Sequence, residues 1–111
     1  MNPSLKKQLF KTFVQMIADL KDKNEIESFL SDFFTEEELD NYIKRISIAY
    51  WLKEGRDEEN IKRNFDVPFK DIFEIKRMMK KDGFRLALKK MEAEEWADVW
   101  AKKIKKLTKN H

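Results

Sequence analysis

Between positions 57 and 81 the chain sets cations where a phosphate backbone would want them: Lys62, Arg63, Lys70, Lys76, Arg77, Lys80 and Lys81. Such side chains neutralise phosphates without regard to base sequence. Acids interrupt the run at Glu58, Glu59, Asp71 and Glu74, so the same stretch also reads as an ordinary solvated face. Phe69 and Phe73 stand four residues apart among these charges. On a helix that spacing puts them on one side. There they would touch thymine methyls or base edges, pack into the core, or meet another protein. Core is the commoner fate of such a pair. Asp71 and Glu74 could accept only from the cytosine amino group.

Catalytic constellations are missing. The chain has no cysteine, and His111 is its only histidine. It offers no metal-ligand spacing and no glycine-rich phosphate loop. Its carboxylates fall in solvent-facing or capping patterns, with no pair singled out for acid–base work. The expectation is a protein that is not an enzyme and has no cofactor and no metal.

The elements that must position the cations are helices. The 111 residues suit one domain, and there are only 2 Gly and 2 Pro, fewer than sheets and their turns use. Charged and hydrophobic residues each make up 41 %. The 13 % aromatic content, with 9 Phe and 3 Trp, argues against disorder. The net charge of +3 is too mild to imply nucleic acid by itself. No apolar run approaches the ~20 residues of a membrane span, and the amphipathic N-terminus lacks the apolar block of a secretory signal. A reduced cytoplasm is the expected location.

Periodicity places the helices. Leu5, Leu9, Phe13, Ile17 and Leu20 predict a first helix over about residues 4–21, with Phe10 and Val14 widening the stripe. Ile26, Phe29, Leu30, Phe33 and Phe34 predict a second over about 24–34. Thr35 and Glu38 have the spacing of a capping box, and Gly55 is a left-handed stop for the third helix. Asp57 caps a fourth, in which Ile61 and Phe65 face inward. After the tight turn Asp66-Val67, Pro68 suits the first position of a fifth, whose inner face is Ile72, Ile75 and Met79. Two short helices over about 57–81 form the frame of a helix-turn-helix. Gly83 is read as a break before a last helix, a C-terminal extension over about 84–107. If that helix breaks near Met91, the acids Glu92, Glu94, Glu95 and Asp98 come first and Lys102, Lys103, Lys105 and Lys106 last, an order that suits the macrodipole.

The landmarks Leu9-Phe10, Leu20-Lys21, Phe29-Leu30, Asp32, Phe33-Phe34-Thr35, Leu39, Arg45, Ala49, Leu52, Gly55, Ile61, Ile72 and Gly83-Phe84 carry a resemblance. In order and spacing, from about residue 5 to 88, they resemble the Trp repressor superfamily, most closely its YerC/YecD-like branch. The resemblance implies an all-α, intertwined homodimer whose helix-turn-helix heads each meet one half-site of duplex DNA. The DNA-facing residues would then be Lys62, Arg63, Phe69, Lys70, Asp71, Phe73, Glu74, Lys76 and Arg77.

The sequence also departs from the family pattern. Asp66 stands where the family's turn usually has Gly. The run Phe69-Lys70-Asp71-Ile72-Phe73-Glu74 replaces a Thr-x-Thr-Ile-x-Arg-like recognition run, keeping only the core Ile72. Thr35 and Arg45 match two positions of the family's tryptophan pocket. However, Glu74 replaces a pocket cation and Ile75 replaces a glycine that leaves room for the indole. A small-molecule corepressor is therefore not expected. Arg45 reads either as an anion or ligand contact or as a salt bridge to a neighbouring acid.

The expected function is a homodimeric, helix-turn-helix DNA-binding transcriptional regulator that does not respond to tryptophan. The second reading is a protein-interaction module on the same fold that has lost base readout. A membrane-surface protein comes third, on the strength of Trp96, Trp100 and the terminal lysines. Packing on the dimer with snorkelling lysines accounts for that helix better.

Overall fold

The computed structural model describes the backbone of residues 1–109 and their side chains apart from Trp100 and residues 107–109. The Trp100 and Leu107 side chains and His111 lie outside the described residues. Among the described residues six helices follow in order: α1 (Pro3–Ala18), α2 (Lys23–Phe33), α3 (Glu36–Lys53), α4 (Glu58–Phe65), α5 (Phe69–Met78) and α6 (Asp82–Lys109). The fold is all-helical. No helix among the described residues is long and apolar enough to cross a membrane. The chain forms two compact units, Met1–Asp40 and the part from Asn41 onward.

In the first unit the Asn2 side chain caps α1, accepting from the Ser4 N–H at 2.8 Å, with Pro3 at the first helical position. α1 stops at Ala18, ahead of the expected Lys21. α2 opens one residue earlier than expected because Asp22 caps it, accepting from the Glu25 N–H at 2.9 Å. Phe13 of α1 meets Phe29 and Phe33 of α2 at ring separations of 6.5 and 6.0 Å. Neither helix buries a residue fully. Leu9, Phe10, Val14 and Ile17 are 46–66 % exposed. The capping box forms as expected: the Glu38 N–H donates to Thr35 Oγ1 at 3.1 Å, and the Thr35 N–H donates to Glu38 Oε1 at 3.0 Å. The Thr35 N–H, with its hydroxyl, holds the Glu38 carboxyl below the usual carboxylate range.

The second unit carries the core. Ile48 and Ala49 of α3, Ile61 of α4, Ile72 and Ile75 of α5 and Leu88 of α6 are buried together. Trp51 closes one side, edge-on to Phe65 at 4.7 Å, with the Arg56 guanidinium 3.9 Å over its ring. Gly55, at φ +88°, ends α3. There the Gly55 and Arg56 N–H groups return to the carbonyls of Leu52 and Trp51, both at 3.1 Å, a Schellman arrangement.

Three sequence expectations are corrected here. Pro68 is the residue before α5 rather than its first helical one: its ψ of 156° is extended, while its carbonyl accepts from the Asp71 N–H at 3.1 Å. Gly83 does not break the chain; it lies in the first turn of α6, without a positive φ. A glycine in a helix costs only about 1 kcal/mol against alanine, too little to force a stop. Nor does α6 break near Met91. Two of the acids expected to open a second half instead reach back to α3: Lys53 Nζ pairs with Glu92 at 2.9 Å, and the Tyr50 hydroxyl donates to Glu95. The Lys53 ammonium lowers the Glu92 carboxyl.

Glu95 and burial push the Tyr50 phenol up to about 12, from an ordinary 10.0. A phenol raised on folding stabilises the fold below its unfolded value and loses that contribution as pH climbs through its folded value. Ultraviolet titration of tyrosinate should therefore show Glu95→Gln moving one tyrosine transition downward, towards 10. An unchanged curve would mean that the bond is not kept in solution.

Candidate nucleic-acid interface

α4 and α5 are short and depend on their ends. The Asp57 carboxylate caps α4, accepting from the Asn60 N–H at 2.8 Å. α4 ends on Asp66, which takes the left-handed conformation at φ 53°. Aspartate tolerates that region better than most residues, so the turn forms without the usual glycine. The Val67 N–H then returns to the Lys62 carbonyl at 3.3 Å. This turn sets α5 against α4, with Ile61 and Ile72 locked into the core.

Burying Ile72 and Ile75 decides what the other side of α5 shows. Lys70, Phe73, Glu74 and Arg77 are exposed, and so are Lys62 and Arg63 on α4. Phe69 and Phe73 are 43 % and 64 % exposed. The expectation that this pair packs into the core is therefore overturned. Helical register explains why: residues 69 and 73 lie away from the stripe through 72, 75 and 79. Phe69 is not bare, since the Lys62 ammonium sits 4.8 Å from its ring centroid, a cation–π contact between the two helices.

Two further residues of the expected footprint are otherwise engaged. Lys76 pairs with Glu58 at the start of α4. Asp71 is half-buried and lines a groove of about 310 Å³ between α3 and α5, with Lys44, Arg45, Ile48, Glu74 and Ile75. Among the described residues Arg45 forms no salt bridge. Its guanidinium lies 5.5 Å from the Tyr42 ring centroid, on the same helix. Of the residues matched to a tryptophan pocket, Arg45, Glu74 and Ile75 share this groove, and Ile75 is buried. Thr35 is committed to its capping box.

Lys44 in the groove and the Lys76–Glu58 pair escaped the sequence reading. Both depend on how α3, α4 and α5 cross, and no spacing along one helix signals that. Among the described residues no group of His, Asp or Glu could hold a metal ion.

What remains outward is a charged surface. Lys62, Arg63, Lys70 and Arg77 supply positive charge and Phe69 and Phe73 apolar rings, while Glu74 and, beside Lys62 and Arg63, Glu59 and Asp66 are exposed acids. No curated protein and no solved structure gives a significant match to the chain. The family model described as Trp repressor protein matches residues 8–92. That match takes in α4, the turn and α5, and covers most of the chain: this protein belongs to the Trp repressor family.

Proposed function

We propose that the protein is a homodimeric, helix-turn-helix DNA-binding transcriptional regulator of the YerC/YecD-like branch, and that tryptophan does not control it. The observation that carries the proposal is the outward face of α5. Lys70 and Arg77 are exposed on it beside Lys62 and Arg63 of α4, as phosphate contacts require. The mobility of genomic DNA fragments from the source organism tests it. Retarded complexes are expected at ~50 mM salt, weakening steeply towards ~200 mM. If no fragment shifts even at the lower salt, the DNA reading fails.

A specific observation favours the second reading, an interaction module: Phe69 and Phe73 are exposed, and interface cores are enriched in aromatics. The exposed lysines Lys62 and Lys70 beside the pair weigh against it, since lysine is depleted at protein interfaces.

The dimer is supported by the apolar faces of α1 and α2, which one copy leaves open; monomeric proteins rarely expose a contiguous apolar patch beyond a few hundred Å². A single domain completed by a second copy accounts for them. Light scattering at low micromolar concentration should give about twice the 13.5 kDa chain mass. A clean monomer would sink the intertwined arrangement.

Tryptophan control is set aside because Glu74 puts a carboxylate where the family's pocket needs a cation, and Ile75 occupies the space of the indole. Calorimetric titration with L-tryptophan should show no millimolar or tighter binding. Saturable heat at one site per chain would overturn this.

A further inference from the structure

We infer that Phe73 reads the C5-methyl group of thymine in the major groove and makes thymine content the basis of this protein's sequence preference. The inference rests on duplex DNA being what α5 meets. Phe73 is 64 % exposed in the middle of α5, and among the described residues no aromatic or cationic group engages its ring. Lys70 precedes it by three positions and Arg77 follows by four, both exposed, so it lies between two cations along the helix. That order suits a polyanion: cations to the phosphate walls, and an apolar tip to the floor between them.

The floor of the major groove offers an aromatic ring one apolar partner. Guanine shows two acceptors, adenine an acceptor and a donor, cytosine a donor, and thymine an acceptor and a methyl group. A phenyl ring set against the polar edges would strip their water and return no hydrogen bond. Against the methyl it buries carbon on both sides. Phe69 plays a lesser part, since Lys62 already covers one side of its ring.

Alternating duplexes that differ only in the methyl group provide the test: poly(dA-dT) against poly(dA-dU), by fluorescence anisotropy with the full chain at ~50 mM salt. Burying one methyl carbon is worth about fourfold in affinity, so a dimer should prefer the thymine polymer by roughly 15-fold. Phe73→Ala should bring the ratio most of the way to one and leave the salt slope of binding unchanged, while circular dichroism shows the helices retained. Phe69→Ala should lower the ratio by less. A second pair, poly(dG-dC) with and without 5-methylation of cytosine, should show the same preference for the methyl. Equal binding of the thymine and uracil polymers by the wild-type chain would overturn the inference while leaving DNA binding in place. A Phe73→Ala chain that keeps the full ratio would overturn the role given to Phe73. No binding to any of these duplexes would overturn the DNA reading, and the inference with it.

Discussion

Raising salt from ~50 to ~200 mM should weaken the DNA complex by on the order of 10⁴. The expectation follows from the cations that the structure leaves available. Lys62, Arg63, Lys70 and Arg77 are exposed around α5, whereas Lys76 is taken by Glu58. Four phosphates neutralised by each copy of a dimer make eight, which gives a slope of about −7 in log affinity against log salt. Lys70→Ala should weaken binding to all sequences alike and flatten that slope by about 1 for each phosphate left without its lysine. Lys76→Ala should flatten it much less, because that lysine is already paired with Glu58. Glu74→Arg should strengthen binding, since it replaces a repulsion from the phosphates with an attraction. A filter-binding series over the salt range measures all four proteins. A wild-type slope near zero would remove the electrostatic basis of the DNA reading. If Glu74→Arg abolished a tight specific complex, Glu74 would be a base reader in its own right.

The second large effect is on stability. Ile72→Ala should cost about 2–5 kcal/mol, the range for removing a large aliphatic side chain from a packed core. Ile72 is 1 % exposed and sits with Ile48, Ile61 and Leu88, so its loss opens a cavity where three helices besides its own converge. Against the roughly 5–15 kcal/mol that holds a domain together, this is a large fraction. It should lower the urea midpoint by roughly 1–2 M at the denaturant sensitivities usual for small proteins. Phe73→Ala, one position along, should change stability by no more than about 0.5 kcal/mol, as substitutions at open surface sites do. The contrast between neighbours is the informative part. Equal losses at the two positions would mean that Phe73 is covered, and that α5 presents a different face from the one described.

Local signals made much of the fold legible. Thr35 with Glu38, Asp57 with Asn60, and Gly55 at its left-handed stop each satisfy backbone groups within five residues, so spacing alone identified them. Helical periodicity put Ile61, Ile72 and Ile75 inside, and they are buried. The order of such landmarks also carried the family. Asp22 was a local signal too, but the neighbouring apolar stripe drew the start of α2 past it.

What the sequence by itself determined, then, is the order of six helices, the caps at Thr35, Asp57 and Gly55 and the inward stripes of α4 and α5, because caps and periodicity act over a turn or two of one helix. Only the tertiary structure decided who faces whom. It paired Lys76 with Glu58 by bringing α4 across. It drew Asp71 into the groove beside Lys44 and Arg45, and turned two acids of α6 towards Tyr50 and Lys53. It left Phe73 open to solvent. Each of these depends on the angle and register at which two helices cross. That is settled by the packing of buried side chains from both helices at once, and no stretch of either helix holds it alone.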